Sequence, residues 1–317
     1  ARLQGAVAVV LSEIISVDAS LALGRLDLDK FGLFTTEGSP AQVSDTTAGG
    51  GDAPDDALNF TLPGNMRVKL AVSADAIDHG GRTVRQLRVE GQLDQGAVSV
   101  DVLTAQLPGG TNVTVTGTVY ADAGQPRFVG RADVVSDNLR TALNWLEVPL
   151  DGLAADRLRK GVFRADIDAS PKQVDLTNWT VDVDNTSIGG GLSLLLRDRP
   201  AFGLSLVVDK VNLDAYLPAS ASAGAAGAAA GANVNPSKGD NADITKLLSS
   251  FDANLLIKVK EARYRNTTIR GAALDATIQS GEIVIRDLSV VDVGGAALEV
   301  TGKLAGTVVE PSTDIKV

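Results

Sequence analysis

Apolar and polar residues alternate along most of this chain with a period of two. Met66 to Ala74 reads Met-Arg-Val-Lys-Leu-Ala-Val-Ser-Ala, which puts Val68, Leu70 and Val72 on one face of a strand. Leu87, Val89 and Leu93 alternate with Arg88, Glu90 and Gln92. Val98, Val100 and Val102 alternate with Ala97, Ser99 and Asp101, and Val113, Val115 and Val119 with Thr114, Thr116 and Thr118. The pattern returns later at Leu192 and Leu194, at Leu255, Ile257 and Val259, at Leu274 and Ile278, at Ile283 and Ile285, and at Leu298, Val300 and Leu304. Each such strand has one apolar and one polar face. The breaks are short and marked by glycine: Asp94-Gln95-Gly96, Pro108-Gly109-Gly110, Ser280-Gly281 and Gly294-Gly295. Such turns join antiparallel neighbours. The pattern predicts a mainly-β fold, an elongated and curled antiparallel meander with one wet face and one apolar face.

The chain also repeats itself. A shift that carries Gly5 onto Gly190 carries residues 1–132 onto 186–317 without a gap. Ser20-Leu21 then meets Ser205-Leu206, Leu28-Asp29 meets Leu213-Asp214, and Gly96 meets Gly281. Gly109-Gly110 meets Gly294-Gly295, and Pro126 meets Pro311. A shorter middle copy, to which residues 133–185 belong, carries its own double glycine, Gly189-Gly190. The whole of 1–317 therefore reads as one repetitive groove domain that grows along one axis. Helix is predicted only in short caps: Asp137 to Trp145, with Asp137 or Asn138 as N-cap, and its relatives Asp27 to Phe31 and Asn212 to Leu217. Residues 35–57 and 218–242 are rich in Thr, Gly, Ser and Ala and read as flexible loops at equivalent places in the repeat.

Composition narrows the partners. Hydrophobic residues make up 44% of the chain but aromatics only 4%, so the apolar faces are aliphatic. Lys+Arg number 29 against 39 Asp+Glu, a net charge of −10, which argues against nucleic acid as the main partner. Scarce aromatics also argue against stacking grooves for sugars or single strands. There is no cysteine, which excludes thiol catalysis, disulfides and Cys-ligated zinc. The longest apolar run near the start, Ala6 to Leu11, is too short for a signal peptide or a membrane span. The chain reads as an excerpt of a longer protein.

Catalytic resources are thin. The single histidine, His79, sits in Asp78-His79-Gly80-Gly81 and reads as an exposed turn residue without a second positioned group. Asp27 with Asp29, Asp182 with Asp184, and Asp52 with Asp55 and Asp56 read as solvated carboxylates, because a Ca²⁺ site needs six to eight oxygens in a defined loop. Gly189-Gly190-Gly191 lacks the Lys-Ser/Thr of a phosphate loop and reads as a turn between strands. The Asn-x-Thr/Ser triplets are what Thr-rich strands produce by chance. The expectation is no enzyme, no cofactor and no metal.

What remains is the apolar face. It is either an ordinary core, covered by a second sheet, or a surface that binds something aliphatic. No helical layer to cover it is visible in the sequence. At this point the residues carry a resemblance. Ser205-Leu206-Val207-Val208-Asp209-Lys210-Val211-Asn212-Leu213-Asp214-Ala215-Tyr216-Leu217-Pro218, followed by an Ala/Gly-rich stretch, resembles the AsmA family of bacterial envelope proteins. So do Tyr264-Arg265-Asn266-Thr267-Thr268-Ile269-Arg270, Ser280-Gly281-Glu282-Ile283, Val293-Gly294-Gly295-Ala296 and Thr301-Gly302-Lys303-Leu304. The resemblance covers residues 200–317, and 1–132 through the repeat.

The resemblance implies a β-rich body in the periplasm, held to the inner membrane by an N-terminal helix that these residues do not include. In larger relatives it implies a curled sheet whose groove carries acyl chains. The expected partner is a phospholipid or other long-chain lipid. The expected groove is lined by Val68, Leu70, Val72, Leu87, Val89, Val98, Val100, Val113, Val115, Leu192, Leu194, Leu255, Ile257, Val259, Leu274, Ile283, Ile285, Leu298 and Val300. The alternative is a structural or assembly scaffold of the envelope, like the TamB group, that engages other β proteins by strand addition.

Overall fold

The computed structural model describes residues 2–31, 60–150, 153–216, 248–265, 267–307 and 310–316, with the backbone alone at 31 and 304–316. The stretches 35–57 and 218–242 lie outside the described residues. The chain divides into two compact units, Ala1–Gly130 and Arg131–Val317.

The fold is mainly β. The first unit holds β1 (Leu3–Val10), β2 (Ile15–Asp27), β3 (Met66–His79), β4 (Arg82–Asp94), β5 (Ala97–Leu107) and β6 (Thr111–Asp122). β7 (Gln125–Ser136) carries the boundary between the units. The second unit holds β8 (Gly161–Ala169), β9 (Gln173–Val183), β10 (Thr186–Leu195), β11 (Ala201–Asn212), β12 (Asp252–Tyr264), β13 (Thr267–Gln279), β14 (Glu282–Val293), β15 (Ala296–Thr307) and β16 (Glu310–Lys316). The strands make one sheet in which order along the sheet is order along the chain, and the sheet does not close.

The turns follow from local chemistry. Gln95 and Gly96 have φ of 50° and 77°, and Ser280 and Gly281 have 54° and 81°. Positive φ at both central residues is the type I′ turn, whose twist matches that of the strands it joins. The predicted cap at 137–145 forms α1 (Leu139–Trp145), with Asn138 as N-cap; its side-chain oxygen accepts from the Thr141 N–H at 3.2 Å. The two relatives are tighter 3-10 turns, Leu28–Phe31 and Leu213–Ala215.

Three sequence expectations are corrected. The sheet is mixed rather than wholly antiparallel: β2 pairs with β3, and β11 with β12, in parallel. Parallel neighbours need a connection that returns the chain to the starting end, and the long segments after Asp27 and after Asn212 provide the length. Gly189–Gly191 lies inside β10 and is not a turn. A Cβ on Gly190 would stand 1.8 Å from the Ser205 carbonyl oxygen, so glycine is needed there for close backbone approach at a bulge. Finally, Val102 does not continue the face of Val98 and Val100. A bulge between Val100 and Leu103 moves the apolar face to Leu103.

Each 3-10 turn is tied to the next hairpin by one aspartate. Both Asp29 carboxylate oxygens accept from the Gly80 N–H, at 3.0 and 3.1 Å. Asp214 Oδ2 accepts from the Arg265 N–H at 2.8 Å. These are the same two positions of the repeat.

Burial separates this sheet from an ordinary sandwich. Among the described residues the buried apolar side chains are all alanine or valine: Ala74, Ala132, Ala142, Ala165, Val183, Val208, Ala253, Ala262 and Ala276. Leucine, isoleucine and phenylalanine are the side chains a two-layer core would cover most completely. The closely packed pairs of elements are sheet neighbours, plus the two 3-10 turns against β3 and β12.

Cross-strand ion pairs line the strands instead. Arg25 grips Asp78 across the parallel β2–β3 pair at 2.5 and 3.0 Å, and the Thr83 hydroxyl donates to the same carboxylate at 2.6 Å. The Arg25 hydrogen bond, then that of Thr83, holds Asp78 below its usual value of 3.8. Asn178 and Arg131 lower Asp166 in the same way, and Lys260 lowers Asp209. A carboxylate whose folded value is depressed contributes stability that is complete above the unfolded value and is lost as pH falls through the folded one. The thermal midpoint is therefore expected to hold between pH 7 and 5 and to fall below about pH 4. Asp78→Asn should lower the midpoint at pH 7 and flatten part of the acid limb in the same melts. An unchanged acid limb would remove Asp78 from the account.

Candidate functional site

Pairing register turns the alternating residues into rows that run across the strands. In the first unit one row is Val9–Val17–Val68–Leu93–Val98–Val119. Beside it run Val7–Ala19–Leu70–Gly91–Val100–Gly117 and Gly5–Leu21–Val72–Val89–Leu103–Val115. Leu3–Leu23–Ala74–Leu87 forms the next, and Val113 pairs with Ala105 on the same side. The second unit carries Phe163–Val181–Ile188–Val208–Val259–Ala272–Val290–Leu298. Next come Leu206–Ile257–Leu274–Leu288–Val300 and Ile167–Leu176–Leu192–Leu204–Leu255–Ala276–Ile285. Val174–Leu194–Phe202–Ala253–Ile278–Ile283 completes the surface. Every sequence-predicted groove residue stands in these rows, on the apolar side of its own unit.

The apolar side is the more sheltered one. Along β2 Val17, Ala19, Leu21 and Leu23 are half-buried, while Asp18, Ser20 and Ala22 between them are exposed. Ala19 against Ala22 compares the same side chain on opposite faces. On β12 Leu255 is half-buried, while Leu256 on the other face is 40% exposed. Half-burial with no second layer among the described residues means that row neighbours cover one another laterally, as they do where a sheet curls towards that side. The shelter is incomplete: Leu70 stays 44% exposed, and Val7 at the edge 71%.

The opposite side is polar and ion-paired. Open clefts on it include one of about 430 Å³ where Leu256 lies among Asp175, Ser193, Asn254, Asp275 and Arg286. Arg286 there bonds Asp275 and Thr277, which occupies its donors internally. The differences in exposure identify the apolar side as the better-formed surface.

The carboxylates singled out in the sequence do structural work. Asp182 accepts from the Ser187 hydroxyl at 2.7 Å, while Asp184 sits in the β9–β10 turn with φ 52° and accepts from Leu158 N–H at 3.0 Å. The two do not form a pair. Asp27 meets Lys30 at 3.0 Å. His79 Nδ1 lies 3.0 Å from Asp29 Oδ1 in an exposed turn. Asp52, Asp55 and Asp56 lie outside the described residues. Among the described residues no three His, Cys, Asp or Glu side chains group as metal ligands.

Strict alternation missed Leu103, Ala105, Leu288 and Val290, because a bulge in each copy adds one residue and changes the face. Arg286-Asp287, two polar residues in succession between Ile285 and Leu288, is the signal that marks it. In the first copy Asp101-Val102 hides the same step behind a valine.

Part of the chain is similar to the protein AsmA of Escherichia coli (strain K12), with 21% identity over 181 residues. The match covers 53% of this chain and 28% of the length of AsmA. No family model matches the chain, and no solved structure does. Among the described residues no helix is long and apolar enough to cross a membrane.

An apolar side that the described residues leave uncovered makes a direct prediction. Leu255→Asp should cost only about 1–2 kcal/mol of stability, because the new charge can still reach water. The same change in a closed core costs several kcal/mol and unfolds the domain. The native protein should brighten an apolar-surface dye, and Leu255→Asp should reduce that signal more than Leu256→Asp. Cooperative unfolding of Leu255→Asp at 25 °C would mean that the side is covered.

Proposed function

We propose that this chain is a lipid-handling segment of a bacterial envelope protein, working in the periplasm as part of a protein held at the inner membrane. Acyl chains lie along the apolar rows while headgroups stay in water. The observation that carries this reading is the set of apolar rows, half-sheltered and, among the described residues, with no covering layer. The partial similarity to AsmA supports the same assignment.

The row from Phe163 to Leu298 crosses eight strands. Neighbouring strands lie about 4.8 Å apart, so the row is about 34 Å long. An acyl chain in one leaflet spans about 15 Å, half the hydrocarbon thickness. A chain on the row therefore covers less than half of it and leaves apolar surface free. Each methylene taken from water contributes about 0.8 kcal/mol, and that gain stays nearly constant as the chain slides. Movement along the rows is passive, with no covalent step and no cofactor, and direction is set by the membranes or proteins at either end.

The test is lipid extraction and mass spectrometry on protein purified without detergent. Near-stoichiometric phospholipid is expected, with most of it lost in Val72→Asp plus Ile257→Asp at a preserved circular-dichroism spectrum. A lipid-free, monomeric and stable wild-type protein would contradict the proposal and favour a scaffold that pairs with other β proteins.

A further inference from the structure

Along β11 and β12 the apolar side of the second unit gives way to charge. On β11 and β12 the residues that follow Val208 and Val259 on the same face are Lys210 and Asn212, and Glu261 and Arg263. Together with the β9–β10 turn and Arg157 they enclose a cleft of about 320 Å³. The cleft thus flanks the Ile188–Val208–Val259 stretch in the middle of the longest apolar row.

Its charges are unevenly matched. The two carboxylates in it are already engaged. Asp184 accepts from the N–H groups of Leu158 and Arg159 at 3.0 and 3.2 Å and from the Tyr216 hydroxyl at 3.1 Å. Burial, then the Asp184 bond, pushes the Tyr216 phenol above its usual value, so it keeps the proton it donates. Glu261 faces Arg270 at 3.9 Å. The cations are less occupied. Neither Lys210 nor Arg263 has a carboxylate within ion-pair distance among the described residues. Among the described residues the Arg157 guanidinium forms an ion pair with its neighbour Asp156, at 3.3 Å, and its buried Nε has no hydrogen-bond partner. Three cations with free donors around a concave polar end are a setting for an oxyanion, and guanidinium suits phosphate best.

We propose that this cleft binds a phosphate ester anion, the headgroup phosphate of a lipid whose acyl chains lie on the adjoining rows. The inference rests on the lipid-handling reading and adds a fixed position for the polar end. A phosphodiester stays anionic at all physiological pH, so the site holds it without a titrating group of its own. Seating the phosphate there would align the acyl chains with the rows and favour anionic lipids over uncharged ones.

The experiment compares two lipids with identical acyl chains, dioleoyl phosphatidylglycerol and dioleoylglycerol, against the full chain and the variant Lys210→Gln plus Arg263→Gln. Wild-type protein should bind phosphatidylglycerol about tenfold more tightly, a gap that narrows with added salt. The variant should bind both lipids equally, at the wild-type affinity for dioleoylglycerol. A preference that survives in the variant, or is absent from the wild type, overturns the headgroup site and leaves lipid binding intact. Calorimetric titration with inorganic phosphate separates the sources. Saturable phosphate binding that the variant loses, with neither lipid bound, assigns the cleft to a free phosphate and removes only the lipid reading. Binding of neither lipid nor phosphate overturns both.

Discussion

A β-strand presents two faces, and in this protein only one of them can meet water without cost. Among the described residues nothing in either unit supplies a second layer for the other. Among the described residues the apolar side chains that reach burial are alanines and two valines. The leucines and isoleucines that would fill a sandwich core stand half-covered in rows. That one shortage of covering surface sets the rest: lateral contact along rows, ion pairs across the wet face, and an aliphatic surface available to a ligand.

A single layer must hold its register without a core behind it. Type I′ turns fix the hairpins. Bidentate and networked pairs such as Arg25–Asp78 and Arg131–Asp166–Asn178 oppose slippage, since a one-residue slip would reverse the faces. Each exposed pair is worth little alone. Their use is in specifying which residues face each other. The aspartate of each 3-10 turn adds a longer-range tie, at Asp29 with Gly80 and at Asp214 with Arg265.

Much of this was legible in the residues. Val68, Leu70 and Val72 share a face because a strand has a period of two, and the same rule placed every predicted groove residue on the apolar side. The N-cap was readable as Asp137 or Asn138 from their hydrogen-bonding chemistry, and the structure uses Asn138. The rest depends on pairing, which a single strand does not encode. Parallel pairing of β2 with β3 is a property of the connection, not of either strand. The bulges at Val100–Leu103 and Ile285–Leu288 need the partner strand to be seen. Gly190 is a strand residue because Ser205 comes close to it across the sheet, and isolated glycines read as turns. The cationic cleft is assembled from β11, β12, the segment before β8 and a turn, so its charges meet only in three dimensions.

The central claim is that acyl chains contact one face of the sheet and not the other. Leu255 and Leu256 are consecutive leucines on opposite faces, the first half-buried in an apolar row and the second 40% exposed on the polar side. A photo-crosslinking residue placed at each in turn, in cells labelled with radioactive lipid, reads the two faces separately. The account predicts labelled lipid on the protein crosslinked from position 255 and little from position 256. Equal labelling at both positions, or a protein partner captured from 255 in place of lipid, would contradict it.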